Sequence, residues 1–181
     1  MKSKTLSVAA IYGLIAGLLM ILLTVILYLR GVEAYMGKTG YLGYVVLVAL
    51  AIMAAVKEKK ANNGFLEFRD ALKTTFLVFV VALALYVIFS HILLNYIDPG
   101  FRQQVEKAAL QRAEKLLQDF GYSQEKIDEM REKSQQNNTA PSIFQTLLGL
   151  AIWYIVFFIF ALIIAAIIKK KKPEFSDSAF K

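Results

Sequence analysis

Charge-free apolar runs alternate with shorter polar segments along this chain, and four of the runs are long enough to be membrane-spanning helices: residues 5–29, 39–56, 74–97 and 143–168. A charge at the bilayer centre costs roughly 2.5–3.5 kcal/mol on insertion scales, so a run without Asp, Glu, Lys or Arg marks a span. A hydrocarbon core of ~30 Å needs ~20 helical residues at a rise of ~1.5 Å each. The second run only just reaches that length, because Gly40 and Gly43 shorten its strongly apolar part, and it is expected to extend into an interfacial ring of Tyr41 and Tyr44. Lys2 and Lys4 precede the first run, as they would in a signal peptide. Its apolar stretch exceeds the ~7–15 residues of a signal core and no small-residue cleavage site precedes Arg30, so it reads as a retained first helix.

The polar segments carry patterns of their own. In the connection 57–73, Asn62-Asn63-Gly64 is turn chemistry, with Asn63 or Gly64 able to take positive φ. From there Phe65, Phe68, Ala71, Leu72, Thr75 and Phe76 recur at three and four, which predicts an amphipathic stretch lying in the interface and running into the third span. In segment 98–142, Asp98-Pro99-Gly100 ends or bends the third helix. Phe101, Val105, Ala108, Ala109, Ala113, Leu116, Leu117 and Phe120 then trace one helical face. Gly121 sits where a glycine ends a helix, and Ser123 starts a second one carrying Ile127 and Met130. A helical hairpin outside the membrane is predicted, its apolar stripe buried on the mouth of the bundle, on the membrane surface or on a partner, the first being the least costly and the default. Asn137-Asn138-Thr139 matches the glycosylation sequon, a pattern short enough to recur by chance.

Composition agrees with a membrane protein: 57% of residues are hydrophobic and 19% charged, against about 45–50% and 25% in soluble domains. The absence of cysteine excludes disulfides, thiolate metal sites and a cysteine nucleophile, and a single histidine excludes a histidine-rich metal site. No cofactor is expected. Twelve of the 21 basic residues and five of the 14 acidic ones fall on one side of the four spans, so the whole net charge of +7 lies there. The positive-inside rule makes that side cytoplasmic and puts both termini in it. The basic clusters Lys57, Lys59, Lys60 and Lys169, Lys170, Lys171, Lys172 are juxtamembrane, where each gains ~1 kcal/mol near anionic lipid. Membrane lipid, not nucleic acid, is therefore the expected partner. The fold class is all-α: a single membrane domain over 1–181, a four-helix bundle with the external hairpin at 98–142 and a cytoplasmic tail at 169–181.

Helices in a bilayer associate where small side chains let backbones approach. Ala9, Gly13 and Gly17 make such a row on the first span, and Ala51 with Ala55 and Ala161 with Ala165 repeat it on the second and fourth. Packing within one chain is the simpler use of these rows; a second copy is the other. The one ionisable group inside a run is His91, six residues from its end or about 9 Å at the helical rise. On a continuous helix it shares a face with Asn95 at i+4, Asp98 at i+7 and Arg102 at i+11, a candidate polar face with the imidazole as its titrating group. The bland alternative is a histidine whose polar tip reaches headgroups or a neighbouring carbonyl. There is no glycine-rich phosphate loop, no HExxH and no pair of intramembrane carboxylates, so no enzyme activity is expected. Two functions fit: a non-enzymatic scaffold or accessory subunit whose hairpin and basic faces meet lipid or a membrane or periplasmic protein, and a small oligomeric transporter or channel subunit using His91, Asn95 and Asp98.

The order of elements resembles the small bacterial membrane proteins of domain-of-unknown-function family 4199. The features that carry the likeness are Ala9, Tyr12, Gly13 and Gly17 on the first helix, Gly64-Phe65-x-x-Phe68-x-x-Ala71-Leu72-Lys73 at the start of the third, Asn95-x-x-Asp98-Pro99, and Gly121-Tyr122-Ser123-x-x-x-Ile127 before a final helix ending in lysines. The resemblance implies a four-helix integral protein of the inner membrane, and brings no activity or catalytic residues with it.

Overall fold

The computed structural model describes residues 2–136 and 141–171, with side chains for 8–132 and 141–171. Lys172, the sequon at 137–139 and most of the tail lie outside these residues. Helix α1 covers Lys2–Leu29, α2 Val32–Tyr35, α3 Tyr41–Ala61 after a 3-10 turn at Lys38–Gly40, α4 Phe68–Ile92, α5 Pro99–Asp119, α6 Gln124–Gln136 and α7 Ile143–Ile168. A π-helical turn, Leu93–Ile97, extends α4. Four helical stretches are long and apolar enough to cross a membrane: Val8–Leu29, Lys38–Ala61, Phe68–Ile97 and Ile143–Ile168. They alternate in direction, so the lysine clusters gather at one end of the bundle, the basic end, and the α5–α6 hairpin stands at the other.

Two boundaries depart from the charge-free runs. The second spanning helix continues past Val56 to Ala61, because its buried stripe Leu47, Ala51, Ala54, Ala55 extends one more turn to Glu58. The stretch from Phe65 is not helical at its start. Asn63 and Gly64 both take positive φ, and Leu66 then pairs with Lys170 in an isolated antiparallel bridge, with N···O distances of 2.9 and 2.8 Å. Helix geometry begins only at Phe68.

The tightest seam joins α1 to α4. A Cβ on Gly13 would stand 2.8 Å from Val81 Cβ and 3.1 Å from the Val78 carbonyl oxygen, and one on Gly17 would stand 2.9 Å from Leu85 Cδ1. These two glycines, with buried Ala9 and Ala16, let the backbones close until van der Waals contact accumulates, which is what drives association where lipid is as apolar as leucine. The small-residue row on α1 is thus used within the chain. Ala51 and Ala55 on α3 and Ala161 and Ala165 on α7 join the same core around Val78, Phe79, Ala82 and Leu83 of α4. Phe157 of α7 fills its centre, 4.9 Å from the Phe79 ring and 6.0 Å from Tyr44. The rest of α7 is largely exposed, as a lipid-facing helix is, Ile155 and Ile167 among its apolar residues.

The hairpin is anchored through α5, chiefly at its base. Asp98 caps α5 by accepting from the Phe101 N–H at 2.8 Å, with Pro99 in the first turn. Phe101 is buried with edge-on contacts to Tyr28 and Tyr35, at 4.8 and 5.3 Å. Burial pushes the Tyr35 hydroxyl up to about 12. Further along, Arg112 Nη1 donates to the Met36 carbonyl at 2.5 Å. Gly121, at φ 79°, lets Tyr122 N–H reach the Leu117 carbonyl at 3.0 Å and close α5. Ile127 is buried, and Arg131 forks onto Glu114 at 2.8 and 2.9 Å. The arginine holds the Glu114 carboxyl below its usual range, and the carboxylate raises Arg131. The expectation that the whole apolar stripe lies on the bundle mouth is corrected here. Leu116, Phe120 and Tyr122 stay exposed, Phe120 at 78%, because the bonds and ring contacts that tie α5 to the bundle lie between Asp98 and Arg112.

Candidate functional site

A cavity of about 250 Å³ lies at the hairpin end, between the last turns of α4, the start of α5 and the first turn of α7. Its polar lining comes from Ser90, His91, Asn95, Arg102, Glu106 and Thr146. Each is placed by its local fold. Asn95 stands one turn after His91, so its Nδ2 donates to the His91 carbonyl at 2.9 Å and lies 3.1 Å from Nδ1. The bond to the carbonyl settles which end of the amide is nitrogen. Thr146 Oγ1 reaches the same Nδ1 at 2.9 Å from the far side, 55 positions along the chain. Ser142 orients that threonine's helix through a capping box with Gln145.

The π turn determines which residues reach the cavity. Asp98 N–H bonds the Leu93 carbonyl five residues back, at 2.8 Å, which widens the last turn and rotates the residues beyond it. Asp98 therefore leaves the face of His91 and Asn95 and is turned to α1, where its Oδ2 accepts from the Tyr28 hydroxyl at 2.9 Å. The Phe101 N–H, then that hydroxyl, hold its carboxyl below the usual carboxylate range. Of the straight-helix face His91, Asn95, Asp98 and Arg102, only Asp98 is lost; His91, Asn95 and Arg102 line the cavity, joined by Glu106 from α5 and Thr146 from α7. Arg102 and Glu106 pair at 2.5 Å. His91 and Arg102 are each only 9% exposed.

At the basic end a second polar group is buried. Glu58 is 4% exposed, and its Oε2 accepts from the Thr74 hydroxyl. Sequence reasoning placed it in a solvated connection; the signal for its burial was the three- and four-residue spacing that carries Leu47, Ala51 and Ala55 on to Glu58. Lys59 Nζ donates to the Ile168 carbonyl at 2.7 Å, so it caps α7 and complements the negative end of that helix. Lys57 lies over the Tyr12 ring, Lys169 over Phe68 and Lys170 over Phe65, at 5.4, 5.8 and 5.6 Å. Lys60 and Lys171 are exposed. Among the described residues, no three His, Asp or Glu side chains gather as a metal ion would require.

No curated protein and no solved structure matches this chain. A family model, described as protein of unknown function (DUF4199), matches residues 11–170. That match runs from the first helix to the lysines after the last and takes in both the cavity and the buried Glu58, so the chain belongs to the DUF4199 family of proteins of unknown function.

Proposed function

We propose that this protein is a non-enzymatic scaffold or accessory subunit of the plasma (inner) membrane, with the basic end and both termini in the cytoplasm and the hairpin outside. The charge distribution supports that orientation, and the exposed Lys60 and Lys171 are its headgroup contacts. The observation that carries the reading is the unequal anchoring of the hairpin. Phe101 fixes its base on the bundle, while Leu116, Phe120 and Tyr122 stay uncovered farther out, an aromatic and aliphatic set of the kind that anchors protein interfaces. The occupant is a membrane or periplasmic protein. A photo-cross-linker at Phe120 in the full chain in its own membrane should give one stoichiometric adduct, lost in a Leu116→Ser, Tyr122→Ser variant that still inserts. Adducts to lipid alone, or no change in the variant, would contradict the proposal.

The cavity favours a second reading, a small oligomeric transporter or channel subunit. The packed layer of Val78, Phe79, Ala82 and Leu83, each no more than 2% exposed, stands between the cavity and Glu58 and weighs against a path through one chain. Under that reading His91→Ala abolishes a pH-dependent flux in proteoliposomes while leaving the fold intact. Absence of flux in the natural chain removes it.

A further inference from the structure

The hairpin-end cavity leaves three buried polar atoms without a hydrogen-bond partner among the described residues, Ser90 Oγ, Asn95 Oδ1 and Arg102 Nε. The guanidinium nitrogen is a donor, the amide oxygen an acceptor, and the hydroxyl can serve as either. Each belongs to a side chain lining the cavity, and Arg102 is nine-tenths buried. An unsatisfied buried group costs about 1–3 kcal/mol, more when it is charged, and native structures rarely leave three around one cavity. The arginine commits Nη1 to Glu106, which leaves its Nε edge, the edge that matches an oxyanion, facing no protein acceptor. His91 has both neighbours on Nδ1, which leaves its Nε2 to meet a ligand. For the opposite polarity the site offers Asn95 Oδ1 and the second oxygen of Glu106, whose side chain is 41% exposed.

We propose that this cavity holds the head of an aminophospholipid, a phosphodiester bearing a primary ammonium. The phosphate oxygens meet Arg102 Nε and His91 Nε2, and the ammonium N–H groups meet Asn95 Oδ1 and Glu106; Nε and Oδ1 are covered from solvent in the free protein, so a side-chain shift opens them to the headgroup. The Arg102–Glu106 pair is neutral overall, so a neutral zwitterion enters without leaving a net buried charge. A soluble zwitterion such as an amino acid has the same two poles. The rest of the lining decides for a lipid: Val87, Leu94, Val105 and Pro141 are apolar, and the cavity sits where two spanning helices end, at headgroup depth. At about 250 Å³ it is smaller than the ~300–1,000 Å³ that encloses a whole drug-sized ligand, and suits a headgroup whose chains remain in the bilayer. This inference is independent of what covers the hairpin tip.

The test is native mass spectrometry of the full chain in mild detergent, offered equal amounts of dioleoyl lipids with ethanolamine, choline or glycerol heads. The choline lipid has the same charge but no ammonium N–H. The ethanolamine lipid should be retained at least tenfold over both others. Arg102→Met and Glu106→Gln should each bring it down to the choline level with the helical circular dichroism unchanged; Glu106 is exposed enough that its variant keeps the fold if the arginine variant does not. Equal retention of ethanolamine and choline lipids, or a tenfold preference that survives Glu106→Gln, overturns the proposal. Free phosphoethanolamine or glycine binding as tightly as the lipid overturns a membrane lipid as the occupant.

Discussion

At the basic end of the bundle Glu58 is buried like a core residue, yet its carboxylate takes the Thr74 hydroxyl, and Lys59 beside it closes the last turn of α7. At the hairpin end His91 and Arg102 are buried to a similar degree, but a cavity separates the helices there and three polar atoms of its lining side chains are unpaired. Burial of polar groups is common to both ends; completeness of pairing is what differs. A buried polar group whose partners are all in the chain holds helices together. A set with a donor, an acceptor and a hydroxyl left over around an open volume has the form of a binding site.

The largest expected effect calibrates the shared framework. Gly13→Leu drives a side chain into Val81 and the Val78 carbonyl, overpacking that should cost about 3 kcal/mol and be visible as a lower thermal midpoint in detergent. Gly64→Leu, in open space by comparison, tests instead the strain of a positive φ. Next comes the basic end. Glu58→Ala leaves Thr74 buried without its acceptor and should cost about 2 kcal/mol, while Glu58→Gln, which keeps an acceptor, should cost less than half as much. At the hairpin end Arg102→Met should change stability by less than about 1 kcal/mol, since Met fills a similar volume and the Glu106 carboxylate left behind is 41% exposed and is solvated by water. If Arg102→Met proves as destabilising as Glu58→Ala, the contrast between the two ends fails. The smallest effect is a pH dependence. Because Asp98 is held below its ordinary value of 3.8, its contribution is complete above that pH and is lost as pH falls through the lowered value. Asp98→Asn should flatten the acid limb of the stability curve in that window; an unchanged limb would detach Asp98 from the hairpin's anchoring.

The spans were legible because charge exclusion from a bilayer acts on every residue of a helix at once. Their ends were less so: a charge normally marks the boundary, and Glu58 breaks that rule because Thr74 satisfies it inside. The Ala9, Gly13 and Gly17 row announced a close approach, but its partner on α4 depends on how the chain returns, which no local pattern encodes. Of the cavity, His91 and Asn95 were readable as an i, i+4 pair. The π turn that sends Asp98 toward Tyr28 was not, since the sequence around Leu93 is equally good α-helix, and Thr146 arrives from another helix altogether. The hairpin's two helices and its Gly121 stop came from periodicity, whereas its anchoring by Asp98, Phe101 and Arg112 depends on where Tyr28, Tyr35 and Met36 stand.

The central claim is that the open edge of Arg102 is a ligand contact. The arginine side-chain NMR spectrum of the 15N-labelled protein in lipid nanodiscs tests it most directly, with the Arg102 Nε–H resonance identified by its loss in Arg102→Met. The account predicts that this proton is shifted and protected from exchange in ethanolamine-lipid discs relative to choline-lipid discs. The same position and exchange rate in both lipids would contradict it.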